Sequence, residues 1–170
     1  MIYYLDEPLK IVNQVDFILN GKGCTFIQRN KNADVIYVEG GRNITLKDFK
    51  ATHTEPNGPL GCTGSVVQVY NNQDMLIQDC KLNGCGIIGL MAYNSKNLNL
   101  KNNYIYNNSQ YGVLFDKESS LDIRNNTFED NGETGNAHVF RALNSFLSQV
   151  EEIGCETKAD DVIMSDYTFQ

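Results

Sequence analysis

"KNLNLKNNYIYNN" (residues 96–108) and "SSLDIRNNTFEDN" (residues 119–131) are two versions of one pattern. A shift of 23 residues lays Leu98 over Leu121, Leu100 over Ile123, Asn102-Asn103 over Asn125-Asn126 and Ile105 over Phe128. The same shift backward reaches Met75, Ile77, Asp79, Cys80 and Leu82. A step of 31 then reaches Ile44, Leu46, Asp48, Phe49 and Ala51, and a step of 29 reaches Val15, Phe17 and Asn20. Forward the pattern weakens, through Phe146, Ser148, Glu151 and Ile153. Repeats of this length mean a stacked array, and they are too short for propeller blades of about 40 residues.

Inside each unit the apolar period is 2: Val67-x-Val69, Leu98-x-Leu100, Val113-x-Phe115, Leu121-x-Ile123. That period over a few residues marks short strands. Polar runs such as "DKESS" (116–120) and "NN" (125–126) separate them, and no helical stretch intervenes. Three short strands per unit, each pairing with its equivalent about 4.8 Å above, wind into a coil. The expected fold is all-β: a single-domain parallel β-helix of about six coils, each of roughly 23 residues, with three short parallel sheets. It spans residues 1–153. Residues 154–170 form a capping segment, with Val162, Met164, Tyr167 and Phe169 as a plug over the last coil.

Composition narrows the function. The chain has 170 residues, 41% of them hydrophobic, enough for one domain with a real core. Its formal net charge is −7 and its pI about 4.7. Lys and Arg are scattered rather than clustered, which argues against a nucleic-acid partner. No apolar run approaches the roughly 18 residues of a membrane span. "MIYYLDEPLKI" (1–11) lacks the basic and apolar regions of a signal peptide. The five cysteines are an odd number without a CxxC pair, so zinc-ribbon and thioredoxin readings fail. No metal or cofactor motif appears, and calcium has no support. Asn43, Asn107 and Asn125 match the glycosylation sequon, as chance allows in a chain rich in Asn and Thr.

With these repeats the sequence resembles the right-handed parallel β-helix proteins of the pectate lyase-like superfamily, over roughly residues 9–153. The resemblance implies a secreted or cell-surface protein. It places Asn20, Phe49, Cys80, Asn103 and Asn126 in one slot, at the tight turn between second and third strands. Asparagine tolerates left-handed backbone, and its amide both donates and accepts, so stacked asparagines form a ladder. The resemblance also makes Ile36–Val38, Val67–Val69, Leu90–Ala92 and Val113–Phe115 the first strands. Tyr37, Gln68, Met91 and Leu114 then face outward, followed at the strand exits by Glu39, Tyr70, Tyr93 and Asp116, with Arg141 next in the row. In such proteins the groove beside the first sheet holds a polysaccharide. Tyrosines at strand spacing stack on sugar rings with a polar tip left wet, although aromatic columns also stabilise a sheet without ligand.

The loop "THTEPNGPLGCTG" (52–64) explains the step of 31 and carries the weak catalytic candidates His53 and Glu55, with Asp116 a third. The Asn-Thr-Asp and Gly-His-Gly segments of related hydrolases are missing, as are the Arg-x-Pro-x-x-Arg of pectate lyases and the Tyr-Gly-Phe-Asp-Pro-His of mannuronan epimerases, with which "YGVLFD" (111–116) shares only Tyr-Gly and is better read as a strand start. The leading expectation is therefore a carbohydrate-recognition module. The alternatives are a polysaccharide lyase or glycoside hydrolase with an unrecognised site, and a structural module without ligand. Cys62 and Cys85 lie one coil apart, either as a disulfide or as two stacked thiols. The open first coil invites cover from another subunit or an adjoining domain.

Overall fold

The structure, a computed structural model, describes residues 1–56, 62–84, 88–116, 119–123, 125–131, 137–140 and 162–165. Among the described residues sixteen strands are formed: β1 (Ile2–Leu5), β2 (Leu9–Val12), β3 (Val15–Gln28), β4 (Ile36–Glu39), β5 (Arg42–His53), β6 (Val67–Tyr70), β7 (Gln73–Gln78), β8 (Lys81–Leu82), β9 (Ile88–Tyr93), β10 (Lys96–Lys101), β11 (Tyr104–Tyr106), β12 (Tyr111–Phe115), β13 (Leu121–Asp122), β14 (Thr127–Glu129), β15 (Ala137–Phe140) and β16 (Val162–Ser165). The first sheet runs β2-β4-β6-β9-β12-β15-β16, and every pair in it is parallel. The second sheet stacks β7, β10 and β13 on the first half of β5. The third stacks β8, β11 and β14 on its second half. In β3 and β5 the strand passes the corner unbroken, which joins these two sheets.

Five complete coils are described, with β1 ahead of them and β15 and β16 beyond, in keeping with the expected solenoid of about six. Val162 and Met164 belong to β16, which adds a further strand to the first sheet in place of a plug lying across it. Tyr167 and Phe169 lie outside the described residues.

Period-2 alternation puts one side of every strand inside. Phe17, Ile44, Met75, Leu98 and Leu121 form one inward column, and Leu19, Leu46, Ile77 and Leu100 lie beside it. From Ile44 onward these side chains are buried. Burying each contributes about 1.5–3 kcal/mol relative to exposure. The N-terminal end lacks such cover. Met1, Ile2, Tyr3, Tyr4, Val12, Val15 and Ile18 are exposed there, while Tyr3 stacks on Phe26 with centroids 5.7 Å apart.

Polar ladders fill the corners. At the second corner, Asn103 Oδ1 accepts from the Cys80 N–H (3.0 Å) and its Nδ2 donates to Ile77 O (2.8 Å). Asn126 repeats this one coil on, accepting from the Asn103 N–H (2.9 Å) and donating to Leu100 O (2.7 Å). At the first corner, Asn72 accepts from Gly41 N–H, Ser95 Oγ from Asn72 N–H, and Ser119 Oγ from Ser95 N–H. At the third, Asn131 accepts from Asn108 N–H and donates to Ile105 O. Each bond is worth about 0.5–1.5 kcal/mol net, and an unmade one at a buried corner costs more.

Two sequence expectations need correction here. Asn20 is not in the second-corner slot. It pairs with Lys47 and is exposed, while Cys24 pairs with Phe49 and is buried. The "NGKGC" segment holds extra residues between them, with Lys22 at φ 50° and Gly23 at φ 74°, and this bulge carries Cys24 into the slot. The left-handed residue is also one position earlier than expected. Asp48, Asp79, Asn102 and Asn125 have φ of 55°, 54°, 55° and 56°, and the ladder residue follows each. Asn and Asp tolerate that region better than other side chains, so the Asn-Asn pair divides two tasks: the first bends the chain, the second bonds the coils.

Candidate functional site

The first-sheet strands β4, β6, β9 and β12 each bury alternate residues: Ile36 and Val38, Val67 and Val69, Leu90 and Ala92, Val113 and Phe115. The residues between face outward. Register places Tyr37, Gln68, Met91 and Leu114 in one column, and Glu39, Tyr70 and Tyr93 in the next. Tyr70 is 39% exposed; Tyr37, Glu39, Gln68, Met91 and Tyr93 are half-buried; Leu114 is buried. The Tyr37 hydroxyl donates to Glu39 Oε2 at 3.0 Å. Burial raises the Tyr37 and Tyr93 hydroxyls above the ordinary tyrosine range, helped by Glu39 beside the first and Asp116 beside the second. Both therefore stay protonated donors at neutral pH.

Asp116 is taken up by the turn. Its oxygens accept from the Asn94 N–H (3.0 and 3.1 Å), the Ser119 N–H (3.0 Å) and the Ser119 hydroxyl (2.6 Å). Glu39 and Asp116 also stand three coils apart, about 14 Å at about 4.8 Å per step. Paired glycosidase carboxylates sit about 5–9.5 Å apart. Arg141 lies outside the described residues.

His53 is not a loop residue. It ends β5 at 1% exposure, paired in register with Gln28. Its Nε2 lies 2.9 Å from Ala33 O, and among the described residues its Nδ1 has no hydrogen-bond partner. Desolvation lowers its pKa, and the Ala33 carbonyl offsets part of that. Glu55 is exposed and ion-paired with Lys31. Neither joins Tyr70 or Tyr93, because β5 ends on the third sheet and β6 and β9 end on the first. The structure thus brings the tyrosine row together and leaves the catalytic candidates scattered. Beyond β5 the loops of successive coils stack so closely that a Cβ on Gly64 would come within 2.2 Å of Ala33 O. Cys62 is buried, and Cys85 lies outside the described residues, so the pairing of these two cysteines is not defined.

A second feature was not read from the sequence. On the outer face of the second sheet a groove of about 550 Å³ is lined by Leu76, Gln78, Asn99, Lys101, Asp122 and Asn125. Its signal is the residue between each apolar pair: Met75-Leu76-Ile77, Leu98-Asn99-Leu100, Leu121-Asp122-Ile123. Among the described residues no group of three or more His, Cys, Asp or Glu is placed to hold a metal, and no helix is long and apolar enough to cross a membrane.

Neither curated proteins nor solved structures yield a match. A family profile does, that of the right handed beta helix region, over residues 12–146. That span takes in all five coils from the end of β2 onward, with the parallel register and corner ladders described above, and the chain belongs to the right-handed β-helix family.

Proposed function

We propose that the chain is a carbohydrate-recognition module that binds a polysaccharide or glycoconjugate along its first sheet. One observation carries this reading: Tyr37, Tyr70 and Tyr93 stand on three successive coils of one outward face, flanked by Glu39 and Gln68. Among the described residues the ring–ring contacts are Tyr3–Phe26, Phe26–Phe49 and Tyr104–Tyr106, so the tyrosines of this row are not spent on one another. A tyrosine ring packs on the C–H face of a sugar while its hydroxyl bonds the sugar's own. The net charge of −7 favours neutral over polyanionic glycans.

The test is a glycan array, followed by assay of retained polymers for released product. Retention without product supports the module. Tyr70→Ala and Tyr93→Ala should each abolish retention, the first with a stability shift of no more than about 0.5 kcal/mol and the half-buried second with a loss of about 1 kcal/mol. New unsaturated ends or reducing sugars would replace this reading with an enzyme. Retention by no glycan would leave a structural module.

A further inference from the structure

We infer that the outer face of the second sheet holds a separate subsite for a neutral oligosaccharide, an inference that rests on carbohydrate recognition by this chain. Register builds the site in two columns. Thr45, Leu76, Asn99 and Asp122 stack in one; Lys47, Gln78 and Lys101 stack in the other. Leu76, Asn99 and Asp122 lie on three successive coils, so the groove runs about 10 Å along the axis. Its volume of about 550 Å³ falls within the range of about 300–1,000 Å³ usual for ligand sites. A neighbouring hollow of about 340 Å³, reaching Asn97 and Ser120, shares Asn99 and Asp122 and extends the groove along the strands.

The chemistry of the lining selects the ligand. Gln78 Nε2 donates to Asp79 Oδ2 (2.8 Å) and Asn99 Nδ2 to Asn97 O (3.2 Å). These bonds occupy one amide N–H of each carboxamide, and each carbonyl oxygen is an acceptor suited to a hydroxyl donor. Asp122 adds a carboxylate acceptor, and Lys101 adds an ammonium donor for hydroxyl oxygens. Leu76, half-buried among them, offers an apolar floor for a ring's C–H face. Asn125 closes the groove from the second corner, its backbone held at φ 56°. Amide, carboxylate and ammonium groups around one aliphatic side chain match a polyol with an apolar face. Among the described lining residues Lys101 is the one cation, and the overall negative charge disfavours phosphate or uronate chains.

The experiment titrates the 170-residue chain with cellohexaose, mannohexaose and galactohexaose, and with hexagalacturonate as the charged contrast, following backbone amides by NMR. One neutral hexasaccharide should shift the amides of residues 76, 78, 99 and 101. Asn99→Ala, which alters a solvent-facing side chain, should weaken that binding about tenfold while leaving shifts at residues 37, 70 and 93 intact. Shifts confined to the first sheet would overturn this subsite and leave the proposed function standing. Shifts on the second sheet with hexagalacturonate alone would overturn the neutral assignment. An unchanged affinity in Asn99→Ala would remove Asn99 and the groove with it, and shifts nowhere would overturn both readings.

Discussion

The same corner is built in two ways at the two ends of the coil. In the narrow coils, Asn103 and Asn126 carry hydrogen bonds from layer to layer. In the wide coils, Cys24 and Phe49 occupy the slot, buried at 4% and 3% exposure, with Phe26 set edge-on to Phe49 at 5.6 Å. Cys80 joins the two. Its N–H donates to Asn103, while its thiol lies 3.9 Å from Leu46 O, the carbonyl equivalent to the one that Asn103 reaches at Ile77. Burial pushes that thiol up to about 12, although the Phe49 and Asp48 backbone N–H groups pull the other way, so it remains an S–H donor. The slot thus requires its volume filled and the backbone polar groups around it answered. Carboxamide, thiol and phenyl meet those needs in different proportions.

That contrast can be broken first at Phe49. Phe49→Ala should cost about 3–5 kcal/mol, because it opens a cavity among side chains that have no polar bonds to fall back on. Chemical denaturation measures it, and a cost below about 1 kcal/mol would mean the apolar slot collapses freely. Asn103→Leu comes next, with an expected loss of about 2–4 kcal/mol. Leucine fills the slot but orphans the Cys80 N–H and the Ile77 carbonyl, both buried. If Asn103→Leu were neutral, volume alone would govern the corner and the two halves would not differ in kind.

The smallest effect separates the halves by pH. His53, in the wide half, is held below its ordinary pKa by burial. The unfolded chain therefore takes up its proton first. This contribution to stability is intact above the unfolded value of about 6.5 and is lost as pH falls from there toward the lowered folded value. Asp34 opposes it at the acid end, since burial raises its carboxyl and the folded state accepts that proton more readily. Amide protection, taken relative to the intrinsic exchange rate at each pH, should accordingly fall on acidification at the end of β5 before it does in β10. An equal fall in both would sever His53 from the effect.

Much of the fold was legible because tandem units at a constant 23-residue step align their own columns, as Leu98 with Leu121 and Asn103 with Asn126 show. Asn20 was misplaced because a step of constant length cannot see a bulge. The spacing to the next coil is 27 at Asn20 and 25 at Cys24, and only the backbone shows where the change falls. The first- and third-corner ladders escaped notice for a different reason. Asn72, Ser95 and Ser119 differ in type, and Asn108 and Asn131 read as turn residues. His53 looked loop-borne because "THTEPNGP" is polar, yet β5 extends as far as His53 and its ring is buried. The tyrosine row followed from strand alternation. The second-sheet groove did not, because Asn99 and Asp122 at outward positions look like any wetted strand.

The uncovered first rung sets the direction in which the molecule loosens. Each layer leans only on the layers beside it, so thermal disorder enters at an extremity and advances rung by rung. At the leading edge Phe17 is only half-buried, while Ile44 and Met75, its equivalents one and two layers in, lie sealed at 1% exposure. Heating should therefore peel this coil from its N-terminal rung inward, leaving the asparagine-bonded layers as the last to let go.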